Sequence, residues 1–359
     1  MRDCRSTGRE PVITLLITAA ALAGAFPCGA AQRHVGPGQP YMTIQQAVNA
    51  ASVNDTVVCH PAAYDGPPNA NLDPIDFDLV FLAPAGPEST VINAQNYNGP
   101  VFEFSGTDIT SATRVEGFSF KDGYDPFDGG GVRIKEGADP VFENCHFISC
   151  ESPGNGGAVS INGNFGGASP AFYDCVFKIN AAEQRGGAVH AIGATNAAFL
   201  RCLFYGNSQD HVDHGGGAVY LSDASPTFEN CTFVGNSRSQ IQVEGPGGRA
   251  DFRWCAISYS PDGVGLDVES QSSVYLYESI VYGNAGGDAV TCDTLGVWYM
   301  DPLYCDLAAD DYSLCANSPC IAAHNPNGRN LGCTVEGCGE CESPVAGATW
   351  GRVKGLFRH

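Results

Sequence analysis

The sequence predicts an all-β solenoid, a rod of short coils stacked on one another. Three observations predict it. One phrase recurs along the chain: Gly-Gly-(Gly/Ala)-Val, a polar bend, then Phe-x-x-Cys-x-Phe-x-x-Asn. Four positions of that phrase align into columns over seven units. The 45 glycines of the 359 residues fall mainly at the corners between short β-prone runs.

The first column holds Val115, Phe142, Phe172, Phe199, Phe228, Phe252 and Leu276. The second holds Phe118, Cys145, Cys175, Cys202, Cys231, Cys255 and Ser279, in steps of 27, 30, 27, 29, 24 and 24 residues. The third reads Phe120, Phe147, Phe177, Phe204, Phe233, Ile257 and Val281, and the last Gly123, Cys150, Asn180, Asn207, Asn236, Ser260 and Asn284. No such segment buries a face alone, so neighbouring units must stack. Parallel stacking superimposes like residues about 4.8 Å apart, and seven coils make a rod of roughly 35 Å. Phe228 and Cys231 lie three apart, which strict alternation puts on opposite faces. A one-residue corner near Asn230 restores the parity, so that Phe228, Cys231 and Phe233 all point inward.

Asn180, Asn207, Asn236 and Asn284 end strands, where Asn tolerates left-handed geometry and its amide bonds to backbone or to the amide above. The pairs Gly129-Gly130, Gly156-Gly157, Gly186-Gly187 and Gly215-Gly216 mark a second tight corner. Cys145, Cys175, Cys202, Cys231 and Cys255 read as a ladder of buried thiols, because parallel side chains suit disulfide geometry poorly. A bridge between Cys145 and Cys150 across one corner is the exception considered.

Other classes fall away. The chain lacks the composition of a coiled coil and the three-residue glycine period of collagen. At 43% hydrophobic it is not disordered. With 18 Lys+Arg against 39 Asp+Glu, a net charge of −21, it offers no basic stripe for nucleic acid.

The repeats resemble those of secreted bacterial right-handed parallel β-helix proteins, the pectin-lyase-like solenoid, with phrasing similar to polymorphic outer-membrane proteins. The resemblance covers roughly residues 40–290. It implies a right-handed hand and leaves activity open, since this fold carries lyases, hydrolases, adhesins and scaffolds.

The first segment reads as an export signal. Arg2, Arg5 and Arg9 precede an apolar run from Val12 to Phe26, with small residues before a cleavage point after Ala31. A membrane anchor is the alternative; a lipoprotein at Cys28 is disfavoured by the bulky Phe26-Pro27. Removing residues 1–31 takes three Arg and two acids, so −21 becomes −22, and the mature chain has no apolar stretch long enough to span a bilayer. The predicted organisation is then a β-helix with its N-terminal cap over 32–290, a Cys-rich cap over 291–345 and a basic tail over 346–359.

In the N-terminal cap, Ile44, Ala47, Val48 and Ala51 are helically spaced behind a Thr43 N-cap. A strand follows over residues 55–59 and a turn over 62–66. The C-terminal cap holds Cys292, Cys305, Cys315, Cys320, Cys333, Cys338 and Cys341. Disulfides are the natural staple of so small a unit in an exported protein. Zinc on Cys333, Cys338 and Cys341 is the rival, without a well-spaced fourth ligand. The tail interleaves Arg352, Lys354 and Arg358 with Trp350, Leu356 and Phe357, as a sorting tag or a plain terminus.

Candidate chemistry sits on loops that stack along one edge. They carry Asp122, Asp125 and Asp128; Glu151; Glu183 and Arg185; and Asp210, His211, Asp213 and His214. Oxygen ligands there suit Ca²⁺, with Asp122, Asp125 and Asp128 the candidate set. His211 and His214 suit a transition metal. An acid and a base from separate coils suit attack on a sugar. Polygalacturonase motifs do not carry over: Arg133-Ile134-Lys135 and Asp213-His214-Gly215 occur in reversed order, Asn-Thr-Asp is absent, and Asp310-Asp311 lies in the cap. A pectate-lyase arrangement finds only Asp125 and Asp128 beside Lys135 or Arg185. The expected function is a secreted or surface-associated, non-enzymatic protein that binds polysaccharide or cell-surface glycan, or serves as a scaffold, with no cofactor unless it is Ca²⁺. The alternative is a lyase or glycoside hydrolase for acidic polysaccharide.

Overall fold

The computed structural model describes residues 30–67, 69–70, 72, 77–95, 97–211 and 215–341. Residues 1–29 of the segment 1–31 read as an export signal, together with Asp213, His214 and the basic tail, lie outside the described residues. The chain forms a parallel β-solenoid of about 11 turns with three long sheets. Sheet 1 has 11 strands, from Gln32–Val35 through Val141–Glu143 to Asp293–Leu295. Sheet 2 has nine, from Ala62–Asp65 to Ile280–Tyr282, and sheet 3 has seven, from Phe102–Ser105 to Leu266–Val268.

The columns read from sequence are the register of these sheets. Phe142 pairs with Val115 and Phe172, and the line continues through Phe199, Phe228 and Phe252 to Leu276. Phe120, Phe147, Phe177, Phe204, Phe233, Ile257 and Val281 align likewise on sheet 2. The solenoid extends further than the recurring phrase. Arg33, Val57 and Phe81 continue the first column below Val115, and Thr294 continues it above Leu276. The early coils lack the Gly-Gly and Cys signals, so the seven aligned units do not include them.

Two ladders of stacked rings fill the core. Phe142, Phe172, Phe199, Phe228 and Phe252 are nearly coplanar with their neighbours, at 4.6–4.9 Å between centroids. Phe147, Phe177, Phe204 and Phe233 form the second ladder at 4.5–4.8 Å. The ladders meet edge to face, as Phe172 does with Phe177 at 62°, so each ring sets a positive edge against a negative face.

The corner between sheets 1 and 2 is one left-handed residue. Asn144, Asp174, Arg201, Asn230, Trp254 and Glu278 all have φ between 45° and 55°. Each turns the next residue inward, which places the cysteine column in the core. These thiols are buried and unbridged. Each reaches a carbonyl one coil below: Cys145 to Val115, Cys202 to Phe172 and Cys231 to Phe199, at 3.4–3.5 Å. Cys145 and Cys150 do not pair. Cys150 stands in the asparagine column, its thiol 3.6 Å from the Phe120 carbonyl and pushed up to about 12 by burial.

The second corner differs from expectation. The left-handed residue is the one before each Asn: Ile179, Gly206, Gly235 and Gly283. The asparagines themselves turn inward and are almost wholly buried. Asn180 Nδ2 donates to Asn207 Oδ1 (2.9 Å), and Asn207 Nδ2 to Asn236 Oδ1 (2.8 Å). At Ser260 the column lacks an amide, and Gln240 fills the gap, accepting from Asn236 and donating to Asn284 Oδ1. Asp288 closes the upper end, accepting from Asn284 Nδ2 at 2.8 Å. Each Asn amide also donates to a carbonyl of the coil below, as Asn207 does to Phe177 at 2.9 Å. Every polar atom of the column is thereby satisfied, which burial requires.

At the third corner the first Gly of each pair has positive φ, 62° at Gly156. The second lies where coils touch: a Cβ on Gly157 would overlap the carbonyl oxygens of Ala181 and Gly187. In the fourth unit the pair in this role is Gly216-Gly217, one residue beyond the pair read from sequence.

Helix α1, Ile44–Asn49, is capped by Thr43, whose hydroxyl accepts from Gln46 N at 3.3 Å. Its buried Ile44, Ala47 and Val48 join the core. The turn expected over 62–66 is instead strand Ala62–Asp65, paired with Thr90–Asn93. The C-terminal cap is a three-stranded sheet, Tyr304–Asp306, Asp311–Cys315 and Glu336–Cys338. It packs a small cluster, including Tyr304, Leu307, Tyr312 and Leu314, against Val234, Ala256 and Ile280. Disulfides Cys305–Cys338 and Cys315–Cys341 staple it. Cys292, Cys320 and Cys333 stay free.

Candidate functional site

Sheet 3 presents its polar side outward, next to the loop edge. Its strands run Phe102–Ser105, Val132–Lys135, Val159–Ala168, Val189–Thr195, Val219–Ser222, Ile241–Glu244 and Leu266–Val268. Inward residues such as Val132, Val159, Val189 and Val219 leave the next residue facing out. That outward column is Glu103, Arg133, Ser160, His190, Tyr220, Gln242 and Asp267, in register. The loops do stack along the edge, pairing Tyr124 with Glu151, and Asp128 with Asn155 and then Arg185.

The lower end of this face is closed by ion pairs. Glu103 holds Arg133 at 3.0 Å and Lys135 at 2.8 Å, and these cations keep its carboxyl below the usual range against the opposing effect of burial. Arg133 also pairs with the buried Asp125, whose carboxylate accepts from the Phe127 and Asp128 backbone at 2.7 and 2.8 Å. Asp128 accepts from Asn155 N and Nδ2. The acids proposed for Ca²⁺ are therefore not gathered. Asp125 is neutralised from within, Asp128 is tied to Asn155, and Asp122 occupies a left-handed corner 3.9 Å from Lys121 Nζ. Lys135 is likewise paired with Glu103. Glu183, Asp210 and His211 do converge, around a separate open depression of 560 Å³.

Above Arg133 the face is different. Arg185, from the loop edge, lies over the Tyr220 ring at 5.0 Å. His190 stacks on the same ring, 5.4 Å between centroids and 18° from parallel. Tyr220 donates its hydroxyl to Glu244, and Gln242 Nε2 donates to the other Glu244 oxygen at 2.7 Å. A depression of 330 Å³ opens here, lined by Asn155, Arg185, His190, Tyr220 and Asp223. Among the described residues, four buried polar atoms in and beside it have no partner: Asn155 Oδ1, Arg185 Nε, His190 Nδ1 and Gln242 Oε1. Such atoms are costly unless something bonds them. Burial, with Arg185 adding to it, lowers His190 to about 3, and burial beside Glu244 pushes the Tyr220 hydroxyl upward. Both stay in one protonation state across neutral pH.

A larger groove, 480 Å³, lies between sheet 2 and the C-terminal cap. Its groups partner one another: Lys178 sits over Tyr205, Tyr205 against Tyr312, Tyr312 donates to Asp310, and His146 faces Glu88 at 3.6 Å. Of the residues singled out in sequence, only Arg185 lines the sheet 3 depression. His190, Tyr220, Asn155 and Glu244 were missed. The residue after Val in each Gly-Gly-(Gly/Ala)-Val phrase was the available signal: Arg133, Ser160, His190 and Tyr220.

A family described as "Right handed beta helix region" matches residues 187–343, in agreement with the right-handed parallel solenoid. Among solved structures, a pectin methylesterase from carrot is similar at 12% identity and a TM-score of 0.42, over 76% of this chain and 89% of that one. ORF18 of Geobacillus virus E2 is similar at 16% identity and a TM-score of 0.35, over 71% of this chain and 56% of that one. No curated protein matches the sequence.

Proposed function

We propose that this is an extracellular, non-catalytic solenoid that binds polysaccharide through the sheet 3 depression. The observation that carries the reading is the set of unpartnered buried polar atoms around the Tyr220 ring. Sugars offer what that set lacks, hydroxyls to bond amide and imidazole atoms. A general acid or base works best with a pKa near the operating pH, and His190 and Tyr220 are both displaced from it. That favours binding over the lyase or hydrolase alternative. An extracellular setting suits the two disulfides, and no helix among the described residues is long and apolar enough to cross a membrane.

The test is calorimetric titration with acidic and neutral oligosaccharides, with and without Ca²⁺, alongside assays for reducing ends and unsaturated products. Saturable binding that Arg185→Ala weakens at least tenfold, with no product, supports the reading. Turnover of any polysaccharide, or binding unaffected by Arg185→Ala, rejects it.

A further inference from the structure

The four bonded cysteines of the C-terminal cap form one cluster of sulfurs. Cys338, bonded to Cys305, has its Sγ 3.7 Å from Cys315 Sγ and 3.7 Å from Cys341 Sγ of the other bridge. The sulfurs of Cys305, Cys315 and Cys338 all lie within 4.8 Å of one another, the one such grouping of three His, Cys, Asp or Glu ligands among the described residues. In a tetrahedral zinc tetrathiolate with Zn–S of about 2.3 Å, the sulfurs stand about 3.8 Å apart. The spacing between the two bridges already has that value.

We propose that, once its two disulfides are reduced, the cap binds one zinc ion through Cys305, Cys315, Cys338 and Cys341. A phosphine or dithiol supplies two electrons per bridge, and with two protons each S–S bond becomes two thiols. The phosphine leaves as its oxide, with the oxygen and both protons taken from one water molecule; the dithiol gives up its own two protons and leaves as its disulfide. Zinc then displaces one proton from each of the four thiols.

The ligand set differs from the one suggested by spacing alone. Cys333 is drawn away to the solenoid, its N–H bonded to Thr232 Oγ1 at 3.0 Å and its thiol pushed up to about 12 by burial. Cys315, at the end of strand Asp311–Cys315, takes its place beside the Cys338-x-x-Cys341 turn. That turn is held without the bridges: Ala316 N donates to Gly339 O at 3.1 Å, and Cys341 N to Asn317 Oδ1 at 3.0 Å. Cys305, Cys338 and Cys341 are partly exposed, open to reductant and metal. A three-stranded cap has little core, so it gains from a cross-link in either redox state.

The experiment uses the full chain, reduced with a phosphine under inert gas without denaturant. Reduction is expected to release four thiols per chain. One equivalent of Co²⁺ should then give the intense red absorption of tetrahedral thiolate coordination, and one equivalent of Zn²⁺ should displace it and protect those four thiols from alkylation. Cys315→Ser and Cys341→Ser should abolish the cobalt spectrum, while Cys333→Ser and Cys292→Ser retain it. Mapping the protected cysteines by mass spectrometry in the unmutated chain decides the matter even if a variant fails to fold. Thiols that stay alkylatable at saturating Zn²⁺, protection at other cysteines, or bridges that resist native reduction would each overturn the proposal.

Discussion

Two polar regions of this protein have opposite economies of hydrogen bonding. Inside, the asparagine column gives every amide atom a partner, coil after coil. Outside, the depression on sheet 3 leaves amide, imidazole and guanidinium atoms buried without one. Of the eight buried side-chain atoms without a partner among the described residues, four gather at this one depression, and the rest are scattered singly. The contrast separates polar groups that hold the rod together from polar groups held ready for something else.

Four substitutions test that division. Phe204→Ala, in the second ring ladder, should cost about 4 kcal/mol by chemical denaturation. Asn207→Ala should cost about 2–3 kcal/mol, since it strands the Asn180 and Asn236 amides and the Phe177 carbonyl. Glycan binding by the folded fraction should be unchanged in both. His190 gives a pH readout. Its folded pKa, about 3, lies below the unfolded value of about 6.5, so the unfolded chain takes up the proton first. Stability is then full above pH 6.5 and falls on acidification toward 3, by on the order of 2 kcal/mol at pH 5. His190→Gln should flatten that part of the acid limb in thermal melts at successive pH values. Cys202→Ser should shift stability by less than about 1 kcal/mol, because a hydroxyl can donate to the Phe172 carbonyl as the thiol does. Were Asn207→Ala to abolish binding at unchanged stability, the division would fail.

The interior was legible in the sequence and the depression was not, for one physical reason. In-register stacking of like on like is stabilising in the core, so Phe, Cys and Asn recur in columns that alignment detects. The outward column has no such demand and reads Arg133, Ser160, His190, Tyr220, a series with no repeat to find. The parity argument at Asn230 held because a left-handed corner is a backbone event. The same reasoning misplaced the second corner by one residue: Asn180 is better used bonding inward, and Ile179 takes the left-handed geometry instead. Asp125 and Asp128 looked like ligands because spacing does not reveal that Arg133 and Asn155 already occupy them.

The asparagine column also has a direction. From Asn180 through Asn207, Asn236, Gln240 and Asn284, each amide nitrogen points toward the C-terminal end, and the last donates to the Asp288 carboxylate. Aligned amide dipoles add, as peptide dipoles do along a helix, and neighbours in such a chain polarise one another. The rod thus carries an electrical axis in its core, with an anion at its positive pole. Any coil inserted by duplication must enter with its amide facing the same way, because a reversed one would set donor against donor.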